Sequence, residues 1–597
     1  MKKMEMLSRS HTPLLSNAYI NFHSRTNRFK YRPSFIVSAS RTNGEGLERR
    51  ITRKRRKQES IPMRVNLKAP FLEKIFNILD SAITEFLDPP LHFSVDPAKI
   101  LLGNCAPVDE KIPTECKVVY GTIPSCLSGV YLRNGPNPQF PPNGPHHYLD
   151  GDGMVHCIRI SHGRATFCSR YVKTNKYVFE NQVGSHAVPN VIGGMHGLGP
   201  FIARATLFAA RVLFSGYDIG KGIGVANTSL ALLGGKLYAL CESDIPYAIK
   251  IKDDGDIITL GHHDFNGSLS MNMTAHPKID PATKEAFAFR YWTTRPYLTY
   301  FRFDAEGNKQ PDVPINSMKH PSLTHDLAIT QKYAIICDIQ VRACPMNLVR
   351  GEPLVGVDPN KVPRIGVLPR YAADESNMKW FEVPGFNIFH AVNAWDETDE
   401  EGGEVVVLVA PNIVSVEHFF ERAVGQIHGS MEKVRVHLGT GVVSRHIMST
   451  KNLEFPVINP AYIGKKNKYV YAAIFSDQTP SETRMMRASG VVKLDVTALE
   501  EEHEGQNECT MASRMYEDNC FGGEPFFIER DPENLRSEED DGYVVSYVHD
   551  ESSGESRFLV MDARSPTLEV VAAVKLPQRV PYGLHGIFIR ENDLYNL

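Results

Sequence analysis

From Pro90 to its last residues the chain keeps one texture, short runs of strand-forming residues broken by turn signals every 8–15 residues. Tyr333–Val341, Glu404–Ala410, Lys468–Ile474 and Val570–Leu576 are such runs, rich in Val, Ile, Tyr and Ala and too short for ordinary helices. Gly542–His549, the turn Asp550–Gly554 and Arg557–Met561 predict a hairpin. Few helical stretches interrupt this pattern, and residues 191–213 are the best candidate. About 500 residues of meandering strand point to a propeller, or to a very large barrel or sandwich. No repeat of 40–50 residues is visible, so a propeller would be a diverged one, and no domain boundary shows after residue 90.

Four histidines sit in small or apolar contexts within this texture: Ala-His276-Pro, Thr-His325-Asp, Phe-His390-Ala and Leu-His585-Gly. His390 is read as part of a short buried strand. One buried histidine is more often a core residue bonded to backbone than a ligand. Four of them, 49, 65 and 195 residues apart, can meet only if the fold closes and brings distant strands to one axis. Converged and neutral, they would bind a borderline transition metal; zinc, copper, iron and nickel all accept imidazole. Four ligands on an octahedral ion leave two positions open for chemistry. Three carboxylates, Glu242, Glu454 and Glu524, also stand in apolar settings. Glu524, flanked by phenylalanines, fits a surface role least, because an unpaired buried carboxylate is costly.

Other chemistries lack their signatures. There is no phosphate-binding G-x-x-x-x-G-K-[ST], no G-x-S-x-G, no H-E-x-x-H and no dinucleotide fingerprint; Gly220–Gly224 reads as a turn. The ten cysteines form no C-x-x-C pair and read as reduced thiols. No apolar run approaches the roughly 20 residues of a membrane-spanning helix.

The formal net charge of −3 hides an asymmetry, since residues 1–57 hold 15 Lys/Arg against three acids while the remainder holds 51 against 66. An acidic body argues against a nucleic-acid groove. Residues 1–40 are basic and hydroxyl-rich with no apolar core, the composition of an organellar transit peptide. Residues 41–90 form a basic linker followed by an amphipathic helix, its apolar positions being 71, 72, 75, 76, 79, 83, 86 and 87. That helix either packs on the body or lies in a membrane interface.

Tyr131–Pro138 (YLRNGPNP), Leu149–His156 (LDGDGMVH), Arg170–Thr174, Ala275–Pro281, Phe521–Phe527 and the segment around His585 occur in the order seen in the carotenoid cleavage dioxygenases, which the chain resembles from about residue 95 to 597, within a domain expected at 91–597. Glu242–Tyr247, Lys361–Arg370 and Asn459–Asn467 resemble the plastid type-four branch. It departs from that pattern at Pro142–Tyr148 and Phe475–Ser489. The resemblance implies an all-β, seven-bladed propeller with a helical and loop cap carrying a substrate tunnel. It implies one Fe(II) per chain on His276, His325, His390 and His585, and no organic cofactor. It makes Glu242, Glu454 and Glu524 the carboxylates that orient His325, His390 and His585, leaving His276 without one. The implied reaction inserts both atoms of O₂ across a carotenoid double bond, favoured at 9,10 (9′,10′) with 7,8 (7′,8′) second. Stilbene cleavage, retinoid isomerohydrolysis and non-catalytic carotenoid binding are the alternatives. The implied setting is a plastid monomer peripherally associated with thylakoid or plastoglobule lipid, part of the contact coming from residues 71–87.

Overall fold

The computed structural model describes residues 69–595 except 89, 92–94, 191, 195–196, 415, 417–427, 476–486, 499–508 and 535. The expected transit peptide at 1–40, the basic linker to residue 68 and most of the departure at Phe475–Ser489 lie outside these residues.

The strands sort into seven antiparallel blades of four strands each, the first and the last extended by a fifth, outer strand, Lys111–Glu115 and Lys117–Gly121. The second blade runs Ser229–Leu233, Lys236–Leu240, Tyr247–Ile251 and Ile257–His262 from its inner edge outward, and each later blade repeats this meander. The inner strands of the third to seventh blades are Lys278–Ile279, Leu327–Ile329, Asn393–Thr398, Leu453–Val457 and Phe526–Glu529. In the first blade the inner strand comes from the other end of the chain: Gly586–Arg590 pairs with Gly129–Pro136. The sixth and seventh blades are joined into one ten-stranded sheet by Cys520–Gly522, which touches the sixth only at Ala488↔Gly522.

Seven clusters of buried apolar side chains lie between neighbouring blades, one for each interface. A row of seven sheets has six interfaces. The seventh, joining Tyr131 and Ile158 of the first blade to Val545 and Phe558 of the last, is what makes the set a ring. Because every blade is covered on both faces, its middle strands are apolar on both sides. Glu404–Ile413 is buried at every position after the first, which explains why the runs read as continuous and not alternating. The predicted hairpin is present as Gly542–Asp550 against Glu555–Asp562. The Tyr333–Val341 run stops at Asp338, beyond which a separate two-stranded ribbon begins at Val341. All ten cysteines are free.

The expected helices are Ala69–Phe86 and Leu198–Ser215, the second beginning later than the 191–213 estimate. They pack on each other through Phe76, Ile83 and Leu207. The polar face expected of the first helix is only partly solvated. Glu73 and Asp80 are buried, facing the second helix. Arg211 Nε lies 3.3 Å from Glu73 and Arg204 reaches Asp88 at 2.5 Å. Breaking a buried pair of this kind costs on the order of 3–5 kcal/mol. Both charged residues of the second helix are therefore turned inward, and its outer surface is apolar.

Candidate metal centre

Each of the four histidines lies at the entrance to an inner strand: His276 two residues before Lys278–Ile279, His325 two before Leu327–Ile329, His390 three before Asn393–Thr398, and His585 one before Gly586–Arg590. His390 thus precedes its strand and is not within it. The ring brings these four entrances together, and one ring nitrogen from each histidine lies within 4.8 Å of the others. Ring centroids of His276 stand 4.5, 5.2 and 4.5 Å from those of His325, His390 and His585.

The three carboxylates arrive from the blades that supply no histidine. Glu242 follows the second strand of the second blade, Glu454 is on the inner strand of the sixth, and Glu524 immediately precedes that of the seventh. His390 Nδ1 lies 2.6 Å from Glu454 Oε2 and His585 Nδ1 lies 2.7 Å from Glu524 Oε1. His325 Nδ1 pairs with Glu242, whose other oxygen accepts from the Tyr291 hydroxyl at 2.5 Å. Backbone N–H groups of Phe455 and Gly586 donate to Glu454 and Glu524. A carboxylate at Nδ1 fixes the proton there and turns the Nε2 lone pair inward, the usual outer arrangement of a metal-binding imidazole. His390 Nε2 is buried with no hydrogen-bond partner among the described residues.

Electrostatics divides the set. Burial, then the imidazoles of His585, His325 and His390, hold His276 well below the ordinary histidine range. Burial also lowers His585, against the pull of Glu524. For His390 burial is outweighed by the charge and hydrogen bond of Glu454, so its protein neighbours alone raise it. A divalent cation at the centre reverses that preference, because it binds only the neutral ring.

The donor set fits a transition metal. Nitrogens about 2 Å from one ion stand about 3–4 Å apart, and the observed span requires only small side-chain adjustments. Side-chain exposures of 18 % for His325, 13 % for His390 and 11 % for His585 show that the centre faces a space and is not packed shut. Phe389 and Phe455 lie beside that space, with ring centroids 5.5 Å from His325 and 5.8 Å from His390.

Sequence reasoning overlooked Asp326, Lys278 and Tyr291. Asp326 accepts from Lys278 Nζ at 2.9 Å and from the Ala391 N–H at 2.9 Å, tying three inner-strand entrances together. For Asp326 and Lys278 the available signal was their place one and two residues after His325 and His276, where a charge has no reason to follow a buried ligand unless it is paired; Tyr291 had no such signal. Phe455 carries φ +51°, rare for an aromatic residue and the kind of strain that collects at functional sites.

Comparison with known proteins agrees with this geometry. The profile of the retinal pigment epithelial membrane protein (RPE65) family matches residues 105–590. The chain is 54 % identical over 542 residues to the probable carotenoid cleavage dioxygenase 4, chloroplastic, of Arabidopsis thaliana, covering 90 % of this chain and 88 % of that protein. It is 52 % identical over 528 residues to the 9-cis-epoxycarotenoid dioxygenase NCED1, chloroplastic, of rice (Oryza sativa subsp. japonica), covering 87 % and 80 %. Among solved structures, lignostilbene dioxygenase from Pseudomonas brassicacearum superposes with a TM-score of 0.68 at 23 % identity, over 84 % of this chain and all of the other, which shows a shared fold. The chain belongs to the RPE65 family of carotenoid oxygenases.

Proposed function

We propose that the chain is a plastid non-haem Fe(II) dioxygenase that cleaves a double bond of a carotenoid, with His276, His325, His390 and His585 as the iron ligands. The convergence of four imidazole nitrogens at the inner-strand entrances carries this reading. Similarity to plant enzymes named as carotenoid dioxygenases supplies the substrate class.

Fe(II) bound there supplies the one-electron chemistry that lets O₂ react with a closed-shell polyene. The protein's part is positional. Glu242, Glu454 and Glu524 keep the Nδ1 protons of their partners in place, so that the first shell is neutral and correctly turned. Phe389 and Phe455 give the polyene an apolar wall and keep water from the adjoining space. Across the reaction one C=C bond is lost and each carbon gains one oxygen atom, so one O₂ accounts for two carbonyl products. The position cut is read as 9,10 (9′,10′), with 7,8 (7′,8′) the alternative.

The helical pair supports a lipid-facing role. Phe71, Ile78, Phe86 and Leu213 are 69 %, 68 %, 75 % and 77 % exposed on helices whose ion pairs point inward. Against the expectation that no apolar run nears spanning length, Leu198–Ser215 is long and apolar enough to cross a membrane, yet its buried arginines bind it to the neighbouring helix. A shallow interfacial contact with plastid lipid satisfies both facts. On this reading residues 1–40 target the plastid, 41–90 comprise the basic linker and the lipid-facing helix, and 91–597 form a monomeric catalytic propeller.

The test is incubation of iron-loaded protein with β-carotene, and separately with a xanthophyll, under O₂, followed by product chromatography. Loss of colour with two carbonyl products supports the reading and locates the bond. Pigment bound but unchanged would leave carotenoid binding and remove catalysis.

A further inference from the structure

Arg133 is the largest charged side chain of the first blade to be fully enclosed, at 2 % exposure, and no residue of the first or last blade offers it an ion pair among the described residues. Its Nη2 donates to the Pro581 carbonyl at 2.9 Å, and its guanidinium lies 4.8 Å from the centre of the Tyr547 ring. Among the described residues Nε and Nη1 have no partner, nor do the hydroxyls of Tyr131 and Tyr547 or the Nδ1 of His156, which stands opposite Arg133 in the strand register. A buried cation with two idle nitrogens is costly unless its charge is used.

Its surroundings show where the charge acts. The guanidinium is wedged between the two segments that carry the His585–Glu524 pair. A Cβ on Gly523, the residue before Glu524, would fall 2.3 Å from Nη1, and one on Gly583, two residues before His585, would fall 3.0 Å from Nε. Both positions are glycine, which leaves the space the guanidinium fills. The same strand grips His585 from both sides: Asn134 N–H donates to the His585 carbonyl at 3.0 Å, and Leu584 N–H donates to that of Asn134 at 2.8 Å. Glu524 is spent on His585 Nδ1 and Gly586 N–H, each at 2.7 Å, so it meets Arg133 through space and not through a shared hydrogen bond.

We propose that Arg133 is a positioning residue for the metal centre, a cationic brace that holds the Glu524–His585 arm in place from behind. The proposal rests on the four-histidine metal reading. It also follows the charges: a divalent ion with three carboxylates leaves one negative charge, and Arg133 is the buried cation beside the arm that balances it.

The test compares Arg133→Gln and Arg133→Lys in the full chain, using Co(II) as the probe and its visible absorption bands as the readout. Arg133→Gln should weaken Co(II) binding by about 10–100-fold, the usual effect of losing an outer partner of a ligand, and should shift the bands. Arg133→Lys, which restores the charge, should recover most of the affinity. Crystal structures of the two variants without added metal give a second readout: in Arg133→Gln the Glu524–His585 contact opens while Glu242–His325 and Glu454–His390 persist. Wild-type affinity and bands in Arg133→Gln, or equal losses in both variants, overturn the proposal. Should Arg133→Gln not fold, Gly523→Ala displaces the guanidinium instead, and unchanged Co(II) binding there overturns it equally. Failure of the wild type to take up Co(II) would remove the metal reading, and the crystallographic contact would then decide the role of Arg133 by itself.

Discussion

At the scale of the residue, the proposed centre depends on neutral imidazoles, three of them hydrogen-bonded to the carboxylates of Glu242, Glu454 and Glu524. Two substitutions separate binding from orientation. On the proposed iron reading, His390→Ala removes a ligand and the N–H donor to Glu454 together, and should abolish iron retention and turnover. Glu524→Gln keeps the shape and one hydrogen bond to His585 but loses the charge, and should keep the fold while lowering iron affinity by about 10–100-fold. Metal content after gel filtration checks both, and full iron occupancy with normal turnover in His390→Ala would remove the centre from consideration.

Histidines away from the centre govern acid stability. Burial holds His146, His156 and His186 down to about 3, against 6.5 for a free side chain. Between those values the unfolded chain binds protons that the folded chain refuses. Stability is therefore lost as pH falls below about 6.5, at up to about 1.4 kcal/mol per pH unit for each such histidine. His156 stacks on Phe167, and His156→Phe keeps that contact without the titrating group. Its urea midpoint should fall less between pH 7 and pH 5 than that of the wild type; parallel falls would show that His156 is not refusing a proton.

At the scale of the element, the helical pair shows how a periodic pattern specifies a helix without specifying which face it buries. The apolar positions between 71 and 87 predict a helix, and a helix is there. Which face it buries was decided by Arg204 and Arg211 on a partner more than 110 residues away, since a buried guanidinium draws acids inward. The triple replacement Phe71→Ser, Ile78→Ser, Leu213→Ser should leave the melting temperature unchanged, because all three side chains are exposed. Each buried apolar side chain is worth about 1.5–3 kcal/mol, so the same replacement should reduce co-sedimentation with plastid-lipid vesicles at least about tenfold. Undiminished sedimentation would assign the exposed surface to something other than lipid.

At the scale of the whole molecule, the ring stands or falls together. Ile589, 1 % exposed on the last strand, packs into the core between the first and second blades. Ile589→Ala should cost about 2–5 kcal/mol. The three tryptophans, Trp292, Trp380 and Trp395, lie in the third to fifth blades, away from that core. In a closed cooperative ring their fluorescence transition in urea nevertheless shifts to lower denaturant in Ile589→Ala. An unmoved transition would mean that the blades unfold independently.

Much of this architecture was legible in the chain. Short apolar runs between turn signals specify strands because a two-faced blade asks only for residues that fit a pleated, covered surface. The hairpin at 542–562 was readable to within a residue or two because its turn and both strands are local. The site histidines were recognisable as odd residues in apolar settings, and the ordered motifs around them marked the family. What local patterns do not carry is the meeting of distant parts. No spacing in the chain says that residues 276, 325, 390 and 585 share a centre within 4.8 Å, because that proximity arises from seven blade-to-blade interfaces and a last strand sewn into the first sheet. Asp326, Lys278 and Arg133 became meaningful only there, since a charge is explained by what it faces, and the ring alone decided what each of them faces.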